Sequence, residues 1–375
     1  MKTMTVFGTR PEAIKMCPLV KSLDENGIEN RVVVTAQHRQ MLDQVLDIFE
    51  VKPDIDLDLM KHDQTIFDTT SGVMNGMAQI LERERPDLVF VHGDTTTTMA
   101  TSLACYYKKI SIAHVEAGLR TYDKYSPFPE EKNRHITGVL ADIHLAPTNS
   151  ARGNLLRENI LPENIFVTGN TVIDALLRVD RKIKEHRLES GLKNDIEKEL
   201  GQGLPEKYVL ITGHRRENFG DGFRNIFSAY SELAAKYKDS LHFIYPVHLN
   251  PNVREMAHSI LGDVKNFHLI SPLDYIHFVY LMKNAHIIIT DSGGIQEEAP
   301  AFGIPVFVTR DVTERPEAVK AGTVMLSGSD KDRIMDNFSK VYEDSEVYSD
   351  MSKAVNPYGD GLACERICRI IKKFF

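Results

Sequence analysis

Short, nearly continuous apolar runs alternate with longer segments whose apolar residues recur every three or four positions, and this alternation repeats along almost the whole chain. The short runs read as parallel strands buried on both faces, near 4–7, 31–35, 87–92, 110–114, 142–146 and 165–168. The longer segments read as amphipathic helices near 11–26, 65–84, 96–107, 131–140 and 149–158. Strand and helix in alternation imply a parallel sheet covered on both faces. A further helix is expected over 171–188, followed by a polar, glycine-containing connection over 189–206. A second alternating series then opens, with strands near 208–212, 241–246, 267–270, 286–290 and 305–308. After Asn356-Pro357-Tyr358-Gly359-Asp360-Gly361, the spacing from Leu362 to Phe374 predicts a helix that crosses back to the first domain. The expected fold is therefore α/β, two Rossmann-like doubly wound domains facing a cleft, divided as 1–168 plus 357–375 and 169–356.

Composition narrows the class. A chain of 375 residues exceeds one small core at roughly 100–200 residues per domain. A net charge of -8 argues against nucleic acid and anionic membranes as partners. No apolar run approaches the roughly 18 residues of a membrane span, and strand-like Met4–Phe7 leaves no room for a leader, so a cytoplasmic location is expected. The four cysteines, Cys17, Cys105, Cys364 and Cys368, lack CxxC spacing and predict neither disulfide nor metal site.

Candidate chemistry gathers at the expected strand ends. The run Ile287–Thr290 turns through Asp291-Ser292-Gly293-Gly294 directly into a helix, where free backbone N–H groups and missing Cβ atoms suit a diphosphate. Glu298, one turn on, suits ribose hydroxyls; a tight turn capped by Ser292 would account for the same residues. Gly8-Thr9-Arg10-Pro11-Glu12 follows the first strand, with Arg10 at the cleft mouth and Lys15 placed to join it against a phosphate; both also fit an ordinary capped surface helix. Gly213-His214-Arg215-Arg216 follows a strand and again suits a diphosphate, while Arg315 precedes a helix opening on Pro316. The segment around His248 also reads as a proline-bounded turn.

Asp94 and Glu116 stand just past strand ends, and Glu130 opens a helix, where acids also serve the helix dipole. Three carboxylates converging on one side of a cleft would include at least one with a raised pKa, fit to move protons.

The stretches GTRPEAIKM, TAQHRQMLDQVL, HGDTTTT, HVEAGLRT, PEEKNR, VTGNTVIDALL, GHRREN, YPVHLNPNVRE, TDSGGIQEEAP, TERPEA and NPYGDG run in order over nearly the whole chain. Together they resemble the non-hydrolysing UDP-N-acetylglucosamine 2-epimerases. That resemblance implies a glycosyltransferase-B-type fold and interconversion of UDP-GlcNAc and UDP-ManNAc without cofactor or metal. It implies a homodimer that feeds cell-surface polysaccharide synthesis. It also implies nucleotide-sugar contacts from Arg10, Lys15, Asp94, Glu116, His214, Phe278, Ser292, Gly293, Gly294, Glu298 and Arg315, with Asp94, Glu116, Glu130 and His214 catalytic. Gln40, Gln44, Gln64, Arg216 and His248 resemble parts of a second, activating UDP-GlcNAc site, although Asp63 stands where some activated relatives carry a basic residue. Leu273 departs from the frequent Gln; the change is harmless if that position binds uracil by its main chain and weakening if by its amide. Alternatives are a hydrolysing 2-epimerase, a UDP-sugar-dependent glycosyltransferase and a non-catalytic nucleotide-sugar sensor. The last two leave three acids at such positions unexplained.

Overall fold

Two all-parallel sheets organise the chain in a computed structural model that describes residues 1–35, 39–59, 64–215, 218–313 and 315–374. The first contains β1 (Lys2–Phe7), β2 (Glu29–Val34), β3 (Ile55–Asp56), β4 (Leu88–His92), β5 (Ser111–Val115), β6 (Ile143–Ala146) and β7 (Ile165–Val167), in the order β3-β2-β1-β4-β5-β6-β7. The second contains β8 (Tyr208–Thr212), β9 (His242–Pro246), β10 (Phe267–Ile270), β11 (Ile287–Thr290), β12 (Val306–Val308) and β13 (Val324–Leu326), in the order β10-β9-β8-β11-β12-β13. These are the two Rossmann-like domains read from the alternation. Central strands such as β4 and β11 are buried along their full length, which is why they read as unbroken apolar runs.

Strand order reverses between β1 and β4 in one sheet and between β8 and β11 in the other. Connections leave such neighbours toward opposite faces, so the loops at their carboxyl ends separate and open a crevice. The loops after β1, β4, β8 and β11 begin with Gly8, Gly93, Gly213 and Asp291. Each carries one of the motifs noted above. Gly8 has a steric reason, because a Cβ there would overlap the hydroxyls of Thr35 and Thr97. Gly93 adopts φ 66°, a conformation costly for other residues.

The compact units are Met1–Arg178 with Tyr358–Phe375, and Val179–Pro357. The division falls inside the helix Thr171–Glu185 rather than at 169, because the early part of that helix is bonded into the first unit. Asn170 N–H donates to the Tyr358 carbonyl at 2.7 Å, and Arg178 forks onto Glu25 at 2.8 and 2.6 Å. The returning helix is present over Ala363–Phe374 and packs on the helix Arg10–Glu25.

The expected connection over 189–206 is a correction: Glu189–Leu200 is a helix, closed by Gly201 at φ 68°. Only Leu192 and Ile196 are buried on it, an apolar stripe one turn long that the surrounding charges hide. The edge strands β3 and β13, two and three residues long, were also below what periodicity registers.

Asp174, buried within the first unit, accepts hydrogen bonds from the Ala363 and Cys364 amides at 3.2 and 2.9 Å. Asp174→Ala strands two buried donors, a penalty of about 1–3 kcal/mol. Amide exchange over 363–374 should then quicken at least about tenfold while the second unit keeps its protection. Unchanged exchange in 363–374 would show that Asp174 does not anchor the returning helix.

Candidate active site

In the first unit the chemistry centres on Glu116, the residue after β5. Its backbone adopts φ 61°, a left-handed conformation that a non-glycine residue holds only when its surroundings impose it. Its carboxylate is 8% exposed and forms an ion pair with Lys15. Asn170 Nδ2 donates to it at 2.9 Å, and His92 Nε2 lies 3.7 Å away. Lys15, expected to join Arg10 against a phosphate, is paired here with this carboxylate. Lys15 projects from the second turn of Arg10–Glu25, on which Arg10 is half-buried.

The first turn of that helix is already satisfied by its own sequence. Thr9 and Glu12 form a capping box, and buried Glu12 accepts from Gly8 N–H at 3.0 Å, Thr9 N–H at 2.8 Å and Thr95 Oγ1 at 2.6 Å. One carboxylate therefore ties the β1 loop to the β4 loop. The spacing Thr9-x-x-Glu12 signals the box, but not the bond to Thr95.

Asp94, in the β4 loop, forms an ion pair with Arg134, and its carbonyl accepts from Asn133 Nδ2 at 2.9 Å. Asn133 and Arg134 lie on the helix Glu130–Leu140, which places half-buried Glu130 in its first turn. Asp94 and Glu116 are neighbours through Gly93: a Cβ there would sit 3.8 Å from Glu116 Oε1. Glu130 opens the helix whose Arg134 pairs with Asp94. Beneath the loop, fully buried His114 contacts the Gly93 carbonyl through Nε2 at 2.8 Å. Burial pushes its pKa down to about 3, so the ring is neutral near pH 7, with Nε2–H the donor.

In the second unit, fully buried Asp291 accepts from the amides of His214 and Arg215, both at 2.8 Å, joining the β8 and β11 loops. His214 stacks on exposed His248 with centroids 5.0 Å apart and planes 15° apart. Desolvation lowers the His214 pKa; Asp291 opposes the shift, while His248 and Arg215 reinforce it. Ser292 precedes the helix Gly293–Glu298, and its hydroxyl makes no capping bond, contrary to the simple turn-and-cap reading. Guanidinium groups of Arg215 and Arg315 both come within 3.9 Å of where a Gly293 Cβ would be. Arg315 precedes Pro316 as expected and is paired with buried Glu297. Glu298, 6% exposed, accepts from the Tyr275 hydroxyl at 3.3 Å, on the helix that also carries half-buried Phe278. Leu273 is half-buried just before that helix.

Gln44 is exposed on the helix Arg39–Phe49 and Gln64 half-buried. Arg216, Asp63 and the Gln40 side chain lie outside the described residues. His92, Asn170 and Arg134 were not singled out from the sequence, and Arg215 and Asp291 entered only as parts of their turns. Asn170 has a local signal, an Asn after a strand and Gly169, and here accepts from Val172 N–H at 3.0 Å.

A family model described as UDP-N-acetylglucosamine 2-epimerase matches residues 21–372. The UDP-N-acetylglucosamine 2-epimerase of Escherichia coli (strain K12) is 54% identical over 379 residues, covering 99% of this chain and 98% of the relative. A crystal structure of UDP-GlcNAc 2-epimerase from Neisseria meningitidis bound to UDP-GlcNAc superimposes with a TM-score of 0.92 at 50% identity, covering 100% of both chains. The glycotransferase of kitacinnamycin, at 12% identity, TM-score 0.65 and coverage of 99% and 98%, shares the fold alone.

Neutral buried histidines give the protein an acid-sensitive stability. An unfolded His takes up a proton below about pH 6.5. Folded His114 and His144 resist protonation until pH falls to about 3 and about 4. The unfolded state therefore binds more protons in this window, and stability falls as pH falls. The urea midpoint should drop between pH 7 and pH 5, and His114→Gln should flatten that dependence by up to about 1.4 kcal/mol per pH unit. An unaltered slope would show that His114 is not held neutral.

Proposed function

The chain belongs to the UDP-N-acetylglucosamine 2-epimerase family, and we propose that it interconverts UDP-GlcNAc and UDP-ManNAc without hydrolysing either, by eliminating UDP and adding it back. The reading rests on one observation above all: a buried carboxylate, Glu116, held by Lys15 and Asn170 beside the loop that carries Asp94.

The C2 proton is not acidic enough for simple deprotonation. In the proposed route a carboxylate takes it as the C1–O bond to UDP breaks; the C2–H electron pair becomes the C1=C2 bond of 2-acetamidoglucal, and UDP leaves with the C1–O pair. The reverse addition delivers a proton to the opposite face of C2 while a UDP oxygen re-forms the bond at C1. Composition is unchanged and the route is redox-neutral, so nicotinamide has no part in it. Two faces call for more than one proton-transfer group, and Asp94, Glu116 and Glu130 fill those roles.

The leaving diphosphate needs positive charge and N–H donors. His214, the Ser292-Gly293-Gly294 amides and Arg315 supply these in the second unit, with Arg10 in the first. A neutral His214 offers an N–H to a phosphate oxygen, and an arriving anion favours its protonation. Glu298 takes ribose hydroxyls and Phe278 packs against the nucleotide. We further infer cytoplasmic work as a homodimer that supplies ManNAc units for surface polysaccharide. Four free, buried cysteines support a reducing compartment, and the family resemblance supports the rest.

Epimerisation run in D2O should place deuterium at C2 of the product, because carboxyl protons exchange rapidly with solvent. Glu116→Gln keeps the shape without the ionisable group and should slow turnover by about 10²–10⁴-fold, with substrate affinity reduced far less. Complete retention of the C2 hydrogen in D2O would rule out the elimination scheme. Normal turnover in Glu116→Gln would move the base to Asp94 or Glu130.

A further inference from the structure

Glu130 and Glu131 open the same helix, and the structure gives them different surroundings. Glu130 is half-buried, whereas Glu131 is 0% exposed. Glu131 accepts from the Thr121 amide at 3.1 Å, the Tyr122 amide at 2.9 Å, Arg134 Nη1 at 3.4 Å and His135 Nε2 at 3.2 Å. A buried carboxylate is tolerated when its lone pairs are filled in this way. Burial by itself would raise its pKa, but the two amides, His135 and Arg134 together hold it below the usual carboxylate value.

Two consequences reach the reacting groups. Arg134 spans two carboxylates, with Nη1 on Glu131 and Nη2 on Asp94, so the position of the guanidinium beside Asp94 is set from the Glu131 side. Tyr122 adopts φ 63°, a strained conformation for a non-glycine residue, and its amide is one of those Glu131 binds. The segment from Glu116 to Tyr122 thus has a left-handed residue at each end. Lys15 and Asn170 bind the side chain of the first, and Glu131 binds the amide of the second.

We propose that Glu131 is a positioning residue for the epimerisation: it fixes Arg134 against Asp94, without itself touching substrate. This role rests on the function proposed above. It predicts that the charge of Glu131, and not only its shape, is needed for turnover, because Gln in its place offers one acceptor oxygen and repels part of the donor set.

The test compares the full-length wild type, Glu131→Gln, Arg134→Gln and the double variant, with initial rates of UDP-GlcNAc conversion followed by NMR and folding checked by circular dichroism. Glu131→Gln should lower kcat about tenfold or more, the loss expected when a charge-assisted contact is removed, with KM within about threefold of wild type. In the Arg134→Gln background, Glu131→Gln should cost no more than about a further twofold, since residues acting through one another are not additive. Wild-type kcat in Glu131→Gln, a loss confined to KM, or losses that multiply in the double variant would each overturn the role. If Glu131→Gln does not fold, Arg134→Gln decides: lowered kcat with retained KM supports the role, and normal kcat overturns it. A wild-type chain that leaves UDP-GlcNAc unconverted overturns the function and this role with it. A wild-type chain that converts it beside an unaffected Glu131→Gln overturns the role alone.

Discussion

Ionised carboxylates are costly to bury unless paired and hydrogen-bonded, and the first unit takes on that cost at Glu116. The pairing draws on parts of the chain remote in sequence. Lys15 comes from the helix after β1, His92 from the end of β4 and Asn170 from the residues after β7. None of these contacts survives a shift of the surrounding strands, so the order and register of the sheet are preconditions of the site. The residue that makes these contacts has a left-handed backbone, φ 61°. Exchanging Lys15 or Asn170 for an apolar residue would remove one of the carboxylate's partners.

A related device recurs in both units. Buried Glu12 ties the loops after β1 and β4, and buried Asp291 ties the loops after β8 and β11. In each case a buried carboxylate takes up amides or hydroxyls at a switch in strand order, the place where doubly wound sheets open to ligands. The surrounding charge differs between the units. The first gathers carboxylates paired with Lys15 and Arg134, while the second gathers His214, Arg215 and Arg315 around glycine backbone. Proton transfer fits the one and diphosphate binding fits the other.

Much of this was legible in the chain. The central strands are nearly continuous apolar runs because both faces are covered, so their ends, and with them Asp94, Glu116 and Ser292, were located from pattern alone. What stayed hidden depends on pairing across distance. The pairing of Lys15 with Glu116, 101 residues away, leaves no local signal. Asn170 reads as a turn residue until its bond to the same carboxylate, 54 residues away, is known. Glu130 and Glu131 are chemically identical neighbours, and local sequence does not say which turns inward; helical geometry points one away from the other by about 100°. The helix Glu189–Leu200 carries only two buried apolar side chains, too few for periodicity to outweigh its charges.

The central claim is a chemical conversion, and it is read most directly by incubating the purified chain with UDP-GlcNAc alone and following the sugar signals by NMR. UDP-ManNAc should grow in to a fixed ratio with UDP-GlcNAc, and the same ratio should be reached from UDP-ManNAc. Free ManNAc with UDP as the main product, or a spectrum of UDP-GlcNAc that never changes, would contradict the account.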